Sequence, residues 1–223
     1  DEFGARVAVS GNKIIVGAPK AKERDGAVYA FVYEGNQWQQ TELLPFNSSN
    51  REWFGSAVAI DGDTVIVGAT NGFDGNNLQT GKAYIYTYEN SQWSQPAQLT
   101  PGPGLDVKDF GAEVAIDGDI AVVGAPLTTV VEGAEEQGAA FVFTRRNGQN
   151  WGVPELLLAA DGSKDDEFGT AVAVSGSTIL VGAHQVDVAG KLDRGAAYVF
   201  VRQRNSWPQQ ARLLATGGTG QQN

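Results

Sequence analysis

The chain has no cysteine, no methionine and a single histidine, His184. Without cysteine there are no disulfides and no thiol chemistry, although this alone does not fix the compartment. One histidine excludes multi-histidine metal sites, and the lack of cysteine closes most remaining nucleophile–base pairings. Positive charge is also scarce: 16 Lys and Arg against 26 Asp and Glu leave a formal charge of −10. Nucleic acids are bound by clustered Lys and Arg, so they are excluded as partners, and the acidic balance disfavours anionic membrane surfaces. No run of about 20 apolar residues exists, so no insertion into a bilayer is expected. No helical period is present, and there is no signal peptide. An opening on Asp1 rather than Met is that expected of a processed or trimmed end.

What the chain has instead is repetition. Phe-Gly recurs at Phe3-Gly4, Phe54-Gly55, Phe110-Gly111 and Phe168-Gly169, spaced by 51, 56 and 58 residues. Aligned without gaps, the copies read FGARVAVSGNKIIVGAP, FGSAVAIDGDTVIVGAT, FGAEVAIDGDIAVVGAP and FGTAVAVSGSTILVGAH. A second shared block follows each: GAVYAFVY from Gly26, GKAYIYTY from Gly81, GAAFVFTR from Gly138 and GAAYVFVR from Gly195. Each copy then carries one tryptophan (Trp38, Trp93, Trp151, Trp207) with a leucine a few residues later, at Leu43, Leu99, Leu156 and Leu213. A fixed period of this length is the signature of a repeat architecture. Residues 1–223 read as one domain, large enough to bury a core, with repeats at approximately 1–50, 51–106, 107–164 and 165–223.

Each block reads as strand. Asp-Gly or Ser-Gly between two β-branched runs signals a tight hairpin, and the alternating aromatic block suits a strand buried on at least one face. The glutamine-rich Trp-to-Leu block suits an outer, half-exposed strand. Four short strands per copy predict a four-stranded antiparallel sheet, which must stack on neighbours to bury its faces. Radial stacking gives an all-β fold, a β-propeller, with an antiparallel solenoid as the alternative. Four such blades close a four-bladed ring by themselves, through packing of the first copy on the fourth, or form part of a seven- or eight-bladed ring. Phe3, Phe54, Phe110 and Phe168 read as wedges between blades, each followed by a glycine where backbones approach closely. The four tryptophans read as packed between sheets with the indole N–H satisfied at the rim, or as sugar platforms.

The succession Phe-Gly, Val-Ala, Val-Gly-Ala-Pro, Gly-Ala-Val-Tyr-Ala-Phe resembles the FG-GAP repeat of integrin α-chain propellers. It resembles more closely the FG-GAP repeats of bacterial exported proteins. The resemblance covers Asp1 to about Leu214. It implies a propeller used for extracellular adhesion or ligand recognition, located outside the cell, at its surface or in the periplasm. A glycan or an extracellular protein would be the partner, with self-association to complete the propeller. It does not imply an enzyme. Integrin-like copies carry a calcium loop, Asp-x-Asp-x-Asp-Gly-x-x-Asp, between the Val-Ala and Val-Gly-Ala-Pro strands. Here that connection has shrunk to Ser10-Gly11-Asn12, Asp61-Gly62-Asp63, Asp117-Gly118-Asp119 and Ser175-Gly176-Ser177. So short a turn cannot gather the six to eight oxygens that calcium requires. Calcium is therefore not carried over, no cofactor or metal ligand is assigned, and these residues read as polar turn formers.

Loops on a rigid scaffold carry recognition. Those at Lys20 to Asp25, Asn71 to Thr80, Leu127 to Gln137 and Gln185 to Arg194 should share one face. Asn71, Phe73, Asp74, Asn76 and Asn77 set amides and a carboxylate around an aromatic, a composition suited to a glycan or peptide. Trp53 joins these candidate binding residues because it breaks the repeat, standing where the other copies have Glu2, Asp109 and Glu167. No catalytic residue is assigned. A polysaccharide hydrolase or lyase is the enzymatic alternative, using paired carboxylates from Asp165, Asp166, Glu167, Glu132, Glu135 and Glu136. A purely structural segment that assembles into a larger ring or filament is the other. His184, at the position of Pro19 and Pro126, reads as a pH-sensitive contact or as drift.

Overall fold

The computed structural model describes residues 1–45, 52–70, 80–102, 105, 107–131, 133–146 and 150–216. The repeat units become four antiparallel sheets, each built from one contiguous stretch of chain. The first contains β1 (Arg6–Ser10), β2 (Lys13–Ala18), β3 (Ala27–Glu34) and β4 (Gln37–Leu43). The second contains β5 (Phe54–Asp61), β6 (Thr64–Ala69), β7 (Lys82–Glu89), β8 (Gln92–Trp93) and β9 (Ala97–Leu99). In the third, β10 (Val114–Asp117), β11 (Ile120–Ala125) and β12 (Ala139–Arg146) are followed by β13 (Asn150–Trp151) and β14 (Glu155–Leu157). The fourth comprises β15 (Ala171–Ser175), β16 (Thr178–Ala183), β17 (Ala196–Val201) and β18 (Gln209–Leu213). Among the described residues there is no α-helix; one 3-10 turn spans Lys22–Arg24.

Local chemistry sets the elements. Ser10 pairs with Lys13 and Asp61 with Thr64 across two-residue turns, and the first turn residue is a glycine with φ near +55° in all four hairpins. The outer strand is continuous in the first sheet and split in the second and third. Pro96 and Pro154 stand in those gaps, and proline cannot donate to a ladder. The register also corrects one alignment. Leu43, Leu99 and Leu213 pair with Val28, Ala83 and Ala197, and their counterpart in the third sheet, opposite Ala140, is Leu157 rather than Leu156.

Consecutive sheets join by unlike faces. Ile15, Val28, Ala30 and Leu43 of the first sheet receive Phe54, Val67, Tyr84 and Tyr86 of the second. Ile66, Ala83, Ile85 and Leu99 receive Phe110, Val123, Phe141 and Phe143. Val122, Ala140, Val142 and Leu157 receive Phe168, Val181, Tyr198 and Phe200. Phe54, Phe110 and Phe168 each stand edge-on to two rings of their own sheet, as Phe54 does to Tyr84 at 5.7 Å and Tyr86 at 6.4 Å. Phe54, Phe110 and Phe168 are thus the wedges that the repeat predicts, buried to 1% exposure or less.

The backbone approach at each joint requires glycine. A Cβ on Gly17, Gly68 or Gly124 would lie 2.0–2.3 Å from the carbonyl oxygen of Gly55, Gly111 or Gly169 in the next sheet. Beside this contact the N–H groups of Phe54, Phe110 and Phe168 donate to the carbonyls of Asp25, Thr80 and Gln137 at 2.9–3.0 Å. The short turns supply a third link. Ser10 Oγ accepts from Gly62 N–H at 3.0 Å, Asp61 Oδ2 from Gly118 N–H at 2.7 Å, and Asp117 Oδ2 from Gly176 N–H. The polar turn residues therefore tie adjacent sheets together as well as shaping their own hairpins.

The four blades form a series that is open at both ends. β1 packs on β5, β5 on β10 and β10 on β15, and among the described residues no comparable packing joins the first sheet to the fourth. Closure by four blades alone would bury the outer face of the first sheet, yet Phe3, Val7 and Val9 are 59%, 68% and 69% exposed.

Candidate functional site

The connections between second and third strands emerge together on one face, opposite the short turns, because every β-hairpin runs in the same sense from its turn. Among the described residues this loop face includes Lys20–Asp25, Leu127–Val131 and Gln185–Arg194. Asn71, Phe73, Asp74, Asn76 and Asn77 lie outside the described residues, but the stretch that carries them starts from a defined place. Thr70 lines a cavity on this face, and the carbonyl of Thr80 accepts the Phe110 N–H.

Trp53 lies in that cavity, which has a volume of about 280 Å³ and is also lined by Glu2, Arg6, Lys20 and Ser56. Its φ is +54°, and the equivalent Glu2, Asp109 and Glu167 share the same left-handed backbone. For a bulky aromatic this conformation carries strain, held here by surrounding contacts. The Trp53 N–H donates to the Arg24 carbonyl at 3.3 Å and its own carbonyl accepts from Ser56 N–H at 3.0 Å. The indole Nε1 is buried without a hydrogen-bond partner. Lys20 Nζ and Glu2 Oε1 meet at 2.6 Å on the rim. A flat ring beside an ion pair can hold an apolar surface with a polar group at its edge.

The other three left-handed positions keep their carboxylates. Burial raises the Asp109 carboxyl, and the nearby charges of Glu167 and Glu136 raise it further. Glu167 accepts from Gln185 Nε2 and lies 3.8 Å from His184 Nδ1. His184 is largely exposed, so this contact is worth little in water. Glu113, beside this region, has its carboxyl raised by burial and drawn partly back by Arg6 of the first sheet.

The loops that carry the carboxylates of the third and fourth units meet through their backbones. Asp165 N–H donates to the Glu135 carbonyl at 2.9 Å, and Lys164 Nζ lies 3.9 Å from Glu135. Asp165 and Asp166 line a cleft of about 360 Å³ with Asp161, Asp187 and Arg212. Asp166 is 5% exposed; burial raises its carboxyl, and the bond it accepts from Ser163 N–H at 2.7 Å draws it back. Glu132 lies outside the described residues.

The tryptophans differ from expectation. Trp38 is 48% exposed against Tyr33, and Trp93 Nε1 is buried with no partner rather than satisfied at the rim. Trp93, Trp151 and Trp207 each line a cleft between their own sheet and the preceding one. The largest cleft, about 610 Å³, sets Trp207 and Arg202 opposite Asp119, Arg145 and Glu155. These clefts were not legible in the sequence, because they arise from the splaying of two sheets that share no sequence continuity. The cross-sheet role of Ser10, Asp61 and Asp117 was hidden for the same reason. Among the described residues no helix is long and apolar enough to cross a membrane.

The FG-GAP repeat family model matches residues 1–31, 38–86, 93–143 and 151–200. Integrin alpha-7 of Rattus norvegicus is 29% identical over 144 residues, covering 59% of this chain and 12% of the rat protein. Integrin alpha-7 of Homo sapiens is 32% identical over 110 residues, 44% of this chain and 9% of the human protein. Integrin alpha-6 of Gallus gallus is 31% identical over 119 residues, 48% and 10% respectively. The chain thus spans about a tenth of the length of these relatives.

Proposed function

The chain belongs to the FG-GAP repeat family, and from that premise we propose that it is a non-catalytic recognition module of an extracellular, cell-surface or periplasmic protein. It binds a glycan or an extracellular protein through the loop face. The observation that carries this reading is Trp53: of four equivalent left-handed positions it alone is aromatic, and it lines a cavity on the loop face. Likeness to integrin alpha chains supports the extracellular setting. Thr70 lines the cavity, and Asn71, Phe73, Asp74, Asn76 and Asn77, which follow it in the sequence, belong to the proposed site. Screening the chain against glycan and extracellular-protein arrays identifies the ligand class. Trp53→Ala and, separately, replacement of residues 71–80 by a Gly-Ser stretch should each weaken the best hit at least about tenfold, the loss expected of a buried aromatic anchor. Unchanged binding in both variants would sink the assignment.

The cleft holding Asp165 and Asp166 supports a second reading, hydrolysis or lytic cleavage of a polysaccharide. Against it, the Ser163 N–H bond gives Asp166 a structural role. Polysaccharide turnover lost on replacing Asp165, Asp166, Glu135 or Glu136 singly would favour this reading over the first.

A further inference from the structure

We propose that the cleft between the third and fourth sheets binds a uronic acid unit of a polysaccharide, its carboxylate gripped by Arg202 and its hydroxyls by Asp119 and Glu155. Arg202 N–H donates to the Ser177 carbonyl at 2.8 Å, which places the site beside the β15–β16 turn, at the end of the blades opposite the loop face. The site is therefore separate from the one around Trp53 and does not rest on it. Asp119 and Glu155 form one wall and Arg202 and Trp207 the other, so both walls are internal to the series of blades.

Comparison of one position across the four units singles out Arg202. The blocks that begin at Gly26, Gly81, Gly138 and Gly195 align it with Tyr33, Tyr88 and Arg145. In every unit this side chain lies on the tryptophan of its own sheet: Tyr33 and Tyr88 are 5.1 and 5.0 Å from Trp38 and Trp93, and Arg145 and Arg202 are 5.4 and 5.8 Å from Trp151 and Trp207. At two joints it also reaches the preceding sheet, where Tyr88 Oη donates to Glu34 at 3.1 Å and Arg145 Nη1 to Thr64 Oγ1 at 3.4 Å. Arg145 further pairs with Asp119 of its own sheet at 2.8 Å. For Arg202 the sequence replaces all three acceptors: Arg146 stands at the position of Glu34, Ile120 at that of Thr64, and Ser177 at that of Asp119. Its guanidinium is held over the indole of Trp207, and among the described residues no carboxylate pairs with it. A planar guanidinium so held matches the two oxygens of an incoming carboxylate.

The facing wall selects what carries that carboxylate. Asp119 Oδ1 accepts from Arg145 Nε at 2.8 Å, and Glu155 Oε1 from Trp207 N–H at 2.7 Å. An ionised carboxyl offers about four acceptor sites, so each keeps room for hydroxyl donors. The ligand must bring one negative charge to Arg202 and neutral O–H groups to Asp119 and Glu155. A uronic acid residue has one carboxylate and several ring hydroxyls. A run of Asp and Glu in a protein would bring charge without donors, and a multiply sulfated sugar would set further anions against the two carboxylates. The cleft, about 610 Å³, falls within the range of small-ligand sites. The formal charge of −10 repels such a polymer at long range, but physiological salt screens that repulsion beyond about 8 Å.

Calorimetric titration of the full chain with an oligomer of glucuronic acid tests this, with the carboxyl-reduced oligomer of the same length and a polyglutamate peptide as comparators. The acidic oligomer should bind saturably, and both comparators at least about tenfold more weakly. Arg202→Ala should lose at least about tenfold in affinity for the acidic oligomer. Arg202→Gln, which keeps the stem that packs on Trp207, should lose as much, and circular dichroism of both variants should match the wild type. Arg202→Ala should still bind any ligand selected through Trp53, so failure at one site is distinguishable from failure at the other. No saturable binding overturns the proposal, as does equal binding of the carboxyl-reduced oligomer or wild-type affinity in either Arg202 variant. Polyglutamate that binds as well as the acidic oligomer also overturns it, because an acidic protein segment would then be the occupant.

Discussion

Asp61 Oδ2 accepts a hydrogen bond from the backbone N–H of Gly118 at 2.7 Å, across the boundary between the second and third sheets. The acceptor and donor are 57 residues apart, so a side chain that looks like local turn chemistry acts as a tie between blades. Asp61→Ala should cost about 1 kcal/mol in urea unfolding. The Gly118 amide should also lose hydrogen-exchange protection, and Asp61→Asn should restore it. An unaltered Gly118 amide in the alanine variant would return Asp61 to a purely local role.

The glycines of the Gly-Ala step should divide by position. Gly68→Ala places a Cβ 2.0 Å from the Gly111 carbonyl oxygen, and backbone on both sides leaves little room to yield. A loss of at least about 3 kcal/mol is expected, at the upper end of overpacking effects. Gly182→Ala meets only the Ala171 Cβ, at 3.2 Å, and should cost less than about 1 kcal/mol in the monomer. Equal losses at the two positions, measured by chemical denaturation, would contradict the stacked geometry.

Glu113 ties stability to pH. Burial raises its carboxyl above the ordinary value of 4.5, with Arg6 opposing in part. A carboxyl raised in the folded state holds its proton more firmly there than in the unfolded chain. Its stabilising share is complete below the ordinary value and is lost as pH rises through the raised one. Glu113→Gln should therefore raise Tm at pH 7 and leave it unchanged near pH 3. Arg6→Ala should lower Tm at pH 7 in the wild-type background and much less in Glu113→Gln.

A buried ion pair offers a further check. Glu52 is 1% exposed; Lys82 Nζ donates to its Oε1, and Tyr84 Oη lies 3.4 Å from its Oε2. Burial, and then the Glu52 charge, push the Tyr84 hydroxyl above its ordinary range. Lys82→Met should cost about 3 kcal/mol, because the carboxylate loses its cation in a dry setting, and Glu52→Gln in the same chain should recover most of that loss. If Lys82→Met is neutral in thermal melts, the pair contributes no specificity to this corner.

Much of this architecture was legible because it is local and repeated. Phe-Gly, the turn glycines and the alternating aromatic block each write one strand or one turn, and four concordant copies remove ambiguity about where sheets begin. The split of the outer strand at Pro96 and Pro154 departs from the single outer strand expected of each copy. What joins the sheets was not legible in the same way. Asp61 and Gly118 belong to different copies, and nothing in either copy alone marks the bond between them. The distinction between Leu156 and Leu157 rests on the irregular path after Trp151, which an ungapped count cannot follow. For the site, Trp53 was visible as a break in the repeat, but the cavity around it depends on Lys20, Arg6 and Glu2 arriving from another unit.

Because every joint seats one kind of face on the other, the packing faces do not depend on a blade's place in the series. An in-frame duplication or deletion of one whole unit would leave each surviving junction with the same kinds of partner. The number of blades is therefore open to change by single genetic events at little cost to folding, while a change within a unit, at Gly68 or Phe110 for example, is felt by its neighbour at once. Lengthening and shortening of such arrays should be more frequent between relatives than substitution at the junction glycines.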